Sequence, residues 1–174
     1  FGAFIKESID LADNASKAAQ MAGVTTEALT GLQYAAGLAD VSAGELNNSL
    51  KFLNLSISKA AAGGKDAQRA FGDIGVSIRT ASGEIRSADA VLLDVADSFS
   101  QYENGAEKAA LAQELFGRSG TALIPLLNSG AAGINELTAQ AERFGLVVSQ
   151  ETATASEEFN DSLTVMQGIT RGVG

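Results

Sequence analysis

Cysteine and histidine are both missing from the 174 residues. That double absence excludes disulfides, thiolate nucleophiles, imidazole bases and every ordinary zinc site built from Cys or His, and most familiar hydrolytic and redox chemistry goes with them. Proline occurs once, at Pro125. Positive charge is scarce: 12 Lys and Arg face 21 Asp and Glu, a formal net charge of −9. Such a chain repels phosphate backbones and anionic lipid surfaces, which argues against direct nucleic-acid binding. Long hydrophobic runs are lacking too. The apolar fraction is 45%, much of it alanine, and no stretch approaches the roughly 18 to 20 apolar residues that cross a bilayer, so no membrane span is expected. No basic region precedes an apolar core near the start, so no signal peptide is read; the opening Phe1-Gly2-Ala3-Phe4, without Met, reads as part of something longer.

What is present is a series of short amphipathic repeats separated by glycine. The chain is organised around Leu115-Phe116-Gly117-Arg118-Ser119-Gly120-Thr121-Ala122-Leu123-Ile124-Pro125-Leu126-Leu127-Asn128, where an Ala-rich helix should stop and a short apolar one begin. Gly117 and Gly120 suit a left-handed helix end and a tight reversal, because a residue without Cβ enters positive φ at little steric cost. Leu123, Ile124, Leu126 and Leu127 demand burial, which makes the stretch a packed corner. A glycine-flanked Arg118-Ser119 also admits an anion nest, although a nest needs several converging N–H groups and usually a longer glycine pattern.

Upstream, Phe4, Ile5, Ile9, Ala12, Ala15, Ala19 and Ala22 recur three or four apart as on one helical face, and Gly23 is a natural stop. Thr25 or Thr26 can cap a second helix carrying Leu29, Leu32, Ala36 and Ala39. Ser42-Ala43-Gly44-Glu45 fits a capping box, so a strong helix should follow. Along it Leu46, Leu50, Leu53 and Ile57 alternate by four and three, a coiled-coil-like seam that serves either as a core face or as an oligomer interface, until Gly63-Gly64 breaks it. A short helix through Ala67, Phe71 and Ile74 comes next. Val76-Ser77-Ile78-Arg79 and Glu84-Ile85-Arg86 then flank Thr80-Ala81-Ser82-Gly83 as a small β-hairpin would. Ala88, Val91, Leu92, Val95, Phe99 and Tyr102 describe another helix, ending near Asn104-Gly105. Ala109, Ala112, Leu115 and Phe116 lead into the corner. Beyond it, Ile134, Leu137, Ala141 and Phe144 repeat the pattern up to Gly145, and Ser149 should cap a last helix with Phe159, Leu163, Met166 and Ile169 on one face. The expectation is an all-α architecture of about seven amphipathic helices with glycine-marked turns and room for one hairpin near 76–86.

Candidate chemistry is sparse. Asp94 with Asp97, and Glu157 or Glu158 with Asp161, are carboxylate pairs at helical spacing, but holding a hard cation or dividing acid and base roles needs further ligands or a pocket. Glu7-Ser8 resembles the glutamate–serine pair of lysozyme-like transglycosylases, yet the glycine- and aromatic-rich segments that would form the sugar cleft are missing. Gly63-Gly64-Lys65 lacks the leading glycine and following Ser/Thr of a P-loop. Ser56 and Lys59 have a nucleophile–lysine spacing but share a helix stripe. No catalytic, cofactor or metal site is expected. Glu45 to Leu50 echoes Glu158 to Leu163, without the further copies that a solenoid needs.

The order of these pieces carries a resemblance. Phe4-Ile5-Lys6-Glu7-Ser8-Ile9-Asp10-Leu11-Ala12-Asp13, then Ala22-Gly23-Val24-Thr25-Thr26-Glu27-Ala28-Leu29-Thr30-Gly31-Leu32-Gln33-Tyr34-Ala35-Ala36, then Gly75-Val76-Ser77-Ile78-Arg79, then the corner block, then Phe159-Asn160-Asp161-Ser162-Leu163, resembles the N-terminal region of tape measure proteins of long-tailed phages and prophages. The resemblance spans roughly residues 3 to 165, and its most specific block is Leu115 to Asn128. It implies a structural, non-enzymatic role within the tail tube: setting tail length, assisting assembly and leaving ahead of the DNA. Implied partners are further copies of the chain, tail-tube and tail-tip proteins and tail-assembly chaperones; the implied location is the tail lumen of the virion, after the host cytoplasm during assembly. The frequent glycines favour a compact or hairpinned module within a longer ruler. A generic helical interaction module, such as a segment of an adhesin or secretion scaffold, is the other reading.

Overall fold

Local side-chain caps set the starts of three helices. Thr25 accepts a hydrogen bond from the Ala28 N–H at 3.1 Å, and Ser42 and Glu45 close a reciprocal capping box at 3.2 and 3.0 Å, so one backbone N–H at the first start and two at the second find side-chain partners. Ser149 likewise accepts from the Thr152 N–H. The computed structural model describes residues 2–172, with side chains from Asp10 to Val165 and at Gln167. Its helices are α1 (Gly2–Ala22), α2 (Thr26–Leu38), α3 (Ala43–Ala61), α4 (Lys65–Asp73), α5 (Ala88–Gln101), α6 (Ala106–Phe116), α7 (Ile124–Leu127), α8 (Gly130–Arg143) and α9 (Gln150–Gly172), with a 3-10 segment at Gly117–Leu123. The protein is all-α. The side chains of Phe4, Ile5, Glu7, Ser8, Ile9, Met166 and Ile169 lie outside the described residues, as do Val173 and Gly174.

α3 is the axis of the fold, touching α1, α2, α4, α5, α6 and the 3-10 segment. Leu46, Leu50, Leu53 and Ile57 all lie within its buried side, so the regular seam is a core face inside this chain. Each such side chain contributes about 1.5–3 kcal/mol through removal from water. One contiguous cluster joins them to Leu29, Leu92, Phe99, Phe116 and Leu126 from the surrounding helices. Phe99 and Phe116 meet edge to face at 6.5 Å, a favoured arrangement for aromatic quadrupoles.

α1 and α9 pack differently. Ala12, Ala15 and Ser16 of α1 and Ala153 and Ser156 of α9 are buried where the two helices meet, small residues that let two backbones approach closely. The Asn160–Asp13 hydrogen bond joins α9 to α1, and Thr26 at the start of α2, just past the end of α1, bonds Gln150 at the start of α9, so the two helices run antiparallel. The expected stripe of α9 is therefore not its packing face: Phe159 is 45% exposed and Leu163 only half-buried, because α1 offers an alanine surface without pockets for large side chains. Phe144 also departs from expectation. α8 ends at Arg143, and Phe144, at the helix end before Gly145, is exposed.

The segment 76–86 contains a single antiparallel bridge, Arg79 with Ile85, and no strand occurs among the described residues. The turn is tight, with Thr80 N–H to Glu84 O at 2.8 Å, but Ile85 projects into solvent and lends no apolar face to a ladder. The Arg86 N–H bonds the Ile78 carbonyl at 2.9 Å on the other side of the bridge, and arginine side chains add further ties. Arg79 reaches the Gly83 and Ala61 carbonyls, and Arg86 reaches the Ser77 carbonyl and Asp94.

Candidate functional site

The glycine corner is built by two distinct constraints. α6 ends at Phe116, and Gly117 turns the chain at φ +75°, its N–H bonded to the Gln113 carbonyl. A Cβ on Gly117 would stand 2.8 Å from the ring of Phe52 on α3, so only a bare backbone fits beneath that ring. Gly120 corrects the expectation placed on it. Its φ is not positive; the 3-10 segment instead folds back so closely that a Cβ there would stand 2.1 Å from the Ala112 carbonyl oxygen. Pro125 lies in the first turn of α7, where its missing N–H is no loss. Leu115, Phe116, Leu123, Leu126 and Leu127 are buried, Ser119 is half-buried, and Arg118 is exposed.

Near the same groove-lining stretch of α3, Gly23 ends α1 at φ +69°, and a Cβ there would stand 2.7 Å from the Asn54 side chain. Two helix ends are thus pressed onto the outer face of α3, at Phe52 and at Asn54. Between them opens a groove of about 610 Å³. Leu55, Phe52 and Met21 supply apolar surface, and Lys51 and Arg118 supply charge; the lining contains no carboxylate. Phe52, Leu55 and Met21 are 39%, 48% and 57% exposed. Neither cation takes part in an ion pair among the described residues, where the pairs are Lys17–Asp13, Arg69–Asp66 and Arg86–Asp94.

The carboxylate pairs singled out by spacing serve separate tasks. Asp94 pairs with Arg86 at 2.6 Å, while Asp97 accepts the Ala131 N–H at 2.7 Å and so caps α8 from α5. Glu157, Glu158 and Asp161 are exposed on α9. No cluster of three potential metal ligands occurs among the described residues. Ser56 directs its hydroxyl to the Leu115 carbonyl at 3.5 Å. A second cavity of about 280 Å³ lies between α2, α5 and α8, with Glu27, Asp89 and Glu142 at its lining.

Several polar groups with structural work escaped the sequence reading. Lys108 is buried, donating to the Tyr102 carbonyl and to Asn128. Asp13 is buried between α1 and α9, bonded to Lys17 and Asn160 through one oxygen; its other oxygen has no hydrogen-bond partner. That hydrogen bond, followed by the carboxylate's charge, raises the Lys17 pKa above its ordinary value. The Lys17–Asp13 pair is at i,i+4 spacing within α1, but the Tyr102, Asn128 and Asn160 partners lie in other segments, where spacing along the chain gives no signal.

No helix among the described residues is long and apolar enough to cross a membrane. The fold and groove together define a helical protein with an apolar, cation-bearing surface channel. The chain matches no family model, no curated protein and no solved structure.

Proposed function

We propose that this chain is a structural segment of a phage tail tape measure protein, acting as a compact docking module rather than as a stretch of the ruler itself. The carrying observation is the single core around α3, closed by α1 against α9: the helices stack side by side, whereas a ruler needs them end to end. The order of sequence blocks supports the family, and the groove beside the corner block supports docking. In this reading the segment works without catalysis, in the host cytoplasm during assembly and in the tail lumen afterwards. It meets tail-tube, tail-tip or chaperone proteins, or further copies of itself.

Electron microscopy of phage whose parent gene carries an in-frame duplication of residues 3–165 tests the proposal. Complete tails of unchanged length are expected. Tails longer by about 1.5 Å per added residue would overturn the compact module, because that is the rise of continuous helix. The groove by itself equally favours a helical interaction module of an adhesin or secretion scaffold. Gene context separates the two: a long parent gene among tail genes supports the tape measure, and its absence removes it.

A further inference from the structure

We infer that the groove over α3 receives an acidic amphipathic helix of another protein. This deepens, and rests on, the reading of the chain as a docking module. The dimensions suit such a ligand: about 610 Å³ of open channel with an α-helical floor and two helix ends as walls, the setting in which a helix lays one apolar face between neighbours. Phe52, Leu55 and Met21 form adjoining apolar surface at the channel, where burial on binding would remove them from water.

Charge selects the partner. The chain carries −9 overall, yet both ionisable side chains in this lining are cations and no carboxylate is among them. Lys51 projects from the floor, and Arg118 is carried by the wall that begins at Gly117. The carbonyl ends of α1 and α6 oppose them with partial negative charge of about half an elementary charge each, so two whole cations leave the channel positive. Another copy of this chain brings a net charge of −9 to the approach and meets strong long-range repulsion, whereas a short helix with an apolar face and a few carboxylates meets less and finds both hydrophobic surface and two cations without ion-pair partners. Arg118 also offers a planar fork that matches a carboxylate with two hydrogen bonds.

The test uses the 174-residue chain and three helical peptides sharing one leucine face at i, i+3, i+4 and i+7, flanked by glutamate, glutamine or lysine. Fluorescence anisotropy should show the glutamate peptide binding about tenfold tighter than the lysine peptide at low salt, with the gap narrowing as salt is added. In the doubly reversed Lys51→Glu, Arg118→Glu chain the preference should invert. Equal affinities in the parent, or an unchanged order in the reversed chain, would overturn the proposal. Leu55→Asp guards against misfolding of the reversed chain: Leu55 is half exposed, so its replacement should leave the helical circular dichroism intact and abolish binding of all three peptides. Retained binding in that variant also refutes the site. Sedimentation showing that the chain self-associates and that self-association displaces the glutamate peptide would make a second copy the occupant, again refuting the proposal. Peptide failure alongside tails of normal length after duplication sinks only the acidic-helix partner; lengthened tails sink the module.

Discussion

At the scale of single residues, the corner makes opposite demands on glycines that look alike in sequence. Gly117→Val meets both a positive φ and the ring of Phe52. It should lose about 1–3 kcal/mol in denaturant titration, the usual size of such backbone strain; a variant as stable as its parent would show that the corner does not need this conformation. Gly120→Ala should lose about as much by overpacking, because the atom in the way is the Ala112 backbone oxygen and cannot rotate aside. Gly37→Ala is the matched contrast: it lies inside α2 with open space around it, and should gain about 0.5–1 kcal/mol. Asp97→Ala removes the cap that α5 lends to α8 and should cost about 1 kcal/mol, read by the same titration. Gly117 was legible beforehand because a helix end followed by polar residues is a local pattern. The close approach at Gly120 and the service of Asp97 were not, since each depends on a partner brought near only by the finished fold.

At the scale of elements, legibility followed side-chain size. α3 and α5 announced their buried faces through leucine, valine and phenylalanine at helical spacing, and those faces are the ones the core uses. In α9 the same rule pointed to Phe159 and Leu163, while packing selected Ala153 and Ser156. Alanine and serine carry little hydrophobic signal but permit two helices to touch, a property visible only once the opposing alanines of α1 are known. Ala153→Leu should therefore wedge α9 from α1. Hydrogen exchange is expected to speed up in α1 and α9 while α3 stays protected; uniform protection would show that the pair tolerates the larger side chain. The stretch 76–86 reverses as the small hairpin expected there would, reduced to one antiparallel bridge and two backbone hydrogen bonds across the turn. Val76 and Ile78 pack on the helical core, no strand extends the bridge among the described residues, and two arginines pin the turn to α3 and α5.

At the scale of the whole molecule, the glycine positions marked where helices fold back, and the leucine, valine and phenylalanine spacing marked an apolar centre, while the buried Lys108 and Asp13 went unmarked. The groove was not legible, because Met21, Phe52 and Arg118 belong to three segments whose meeting depends on Gly23 and Gly117 together. Small-angle scattering should give a radius of gyration of about 16 Å, the expectation for a compact chain of this length; a rod-like profile would contradict the fold. The antiparallel pairing of α1 and α9 has a mechanical consequence. Both flanking chain directions leave the module from the same pole, so tension along a longer polypeptide would peel the two helices apart like a zip, one small-residue contact after another, instead of sliding them against each other. Peeling loads few contacts at a time and yields at low force, so a pulled thread would surrender this pair before the leucine-rich centre around α3 felt the load.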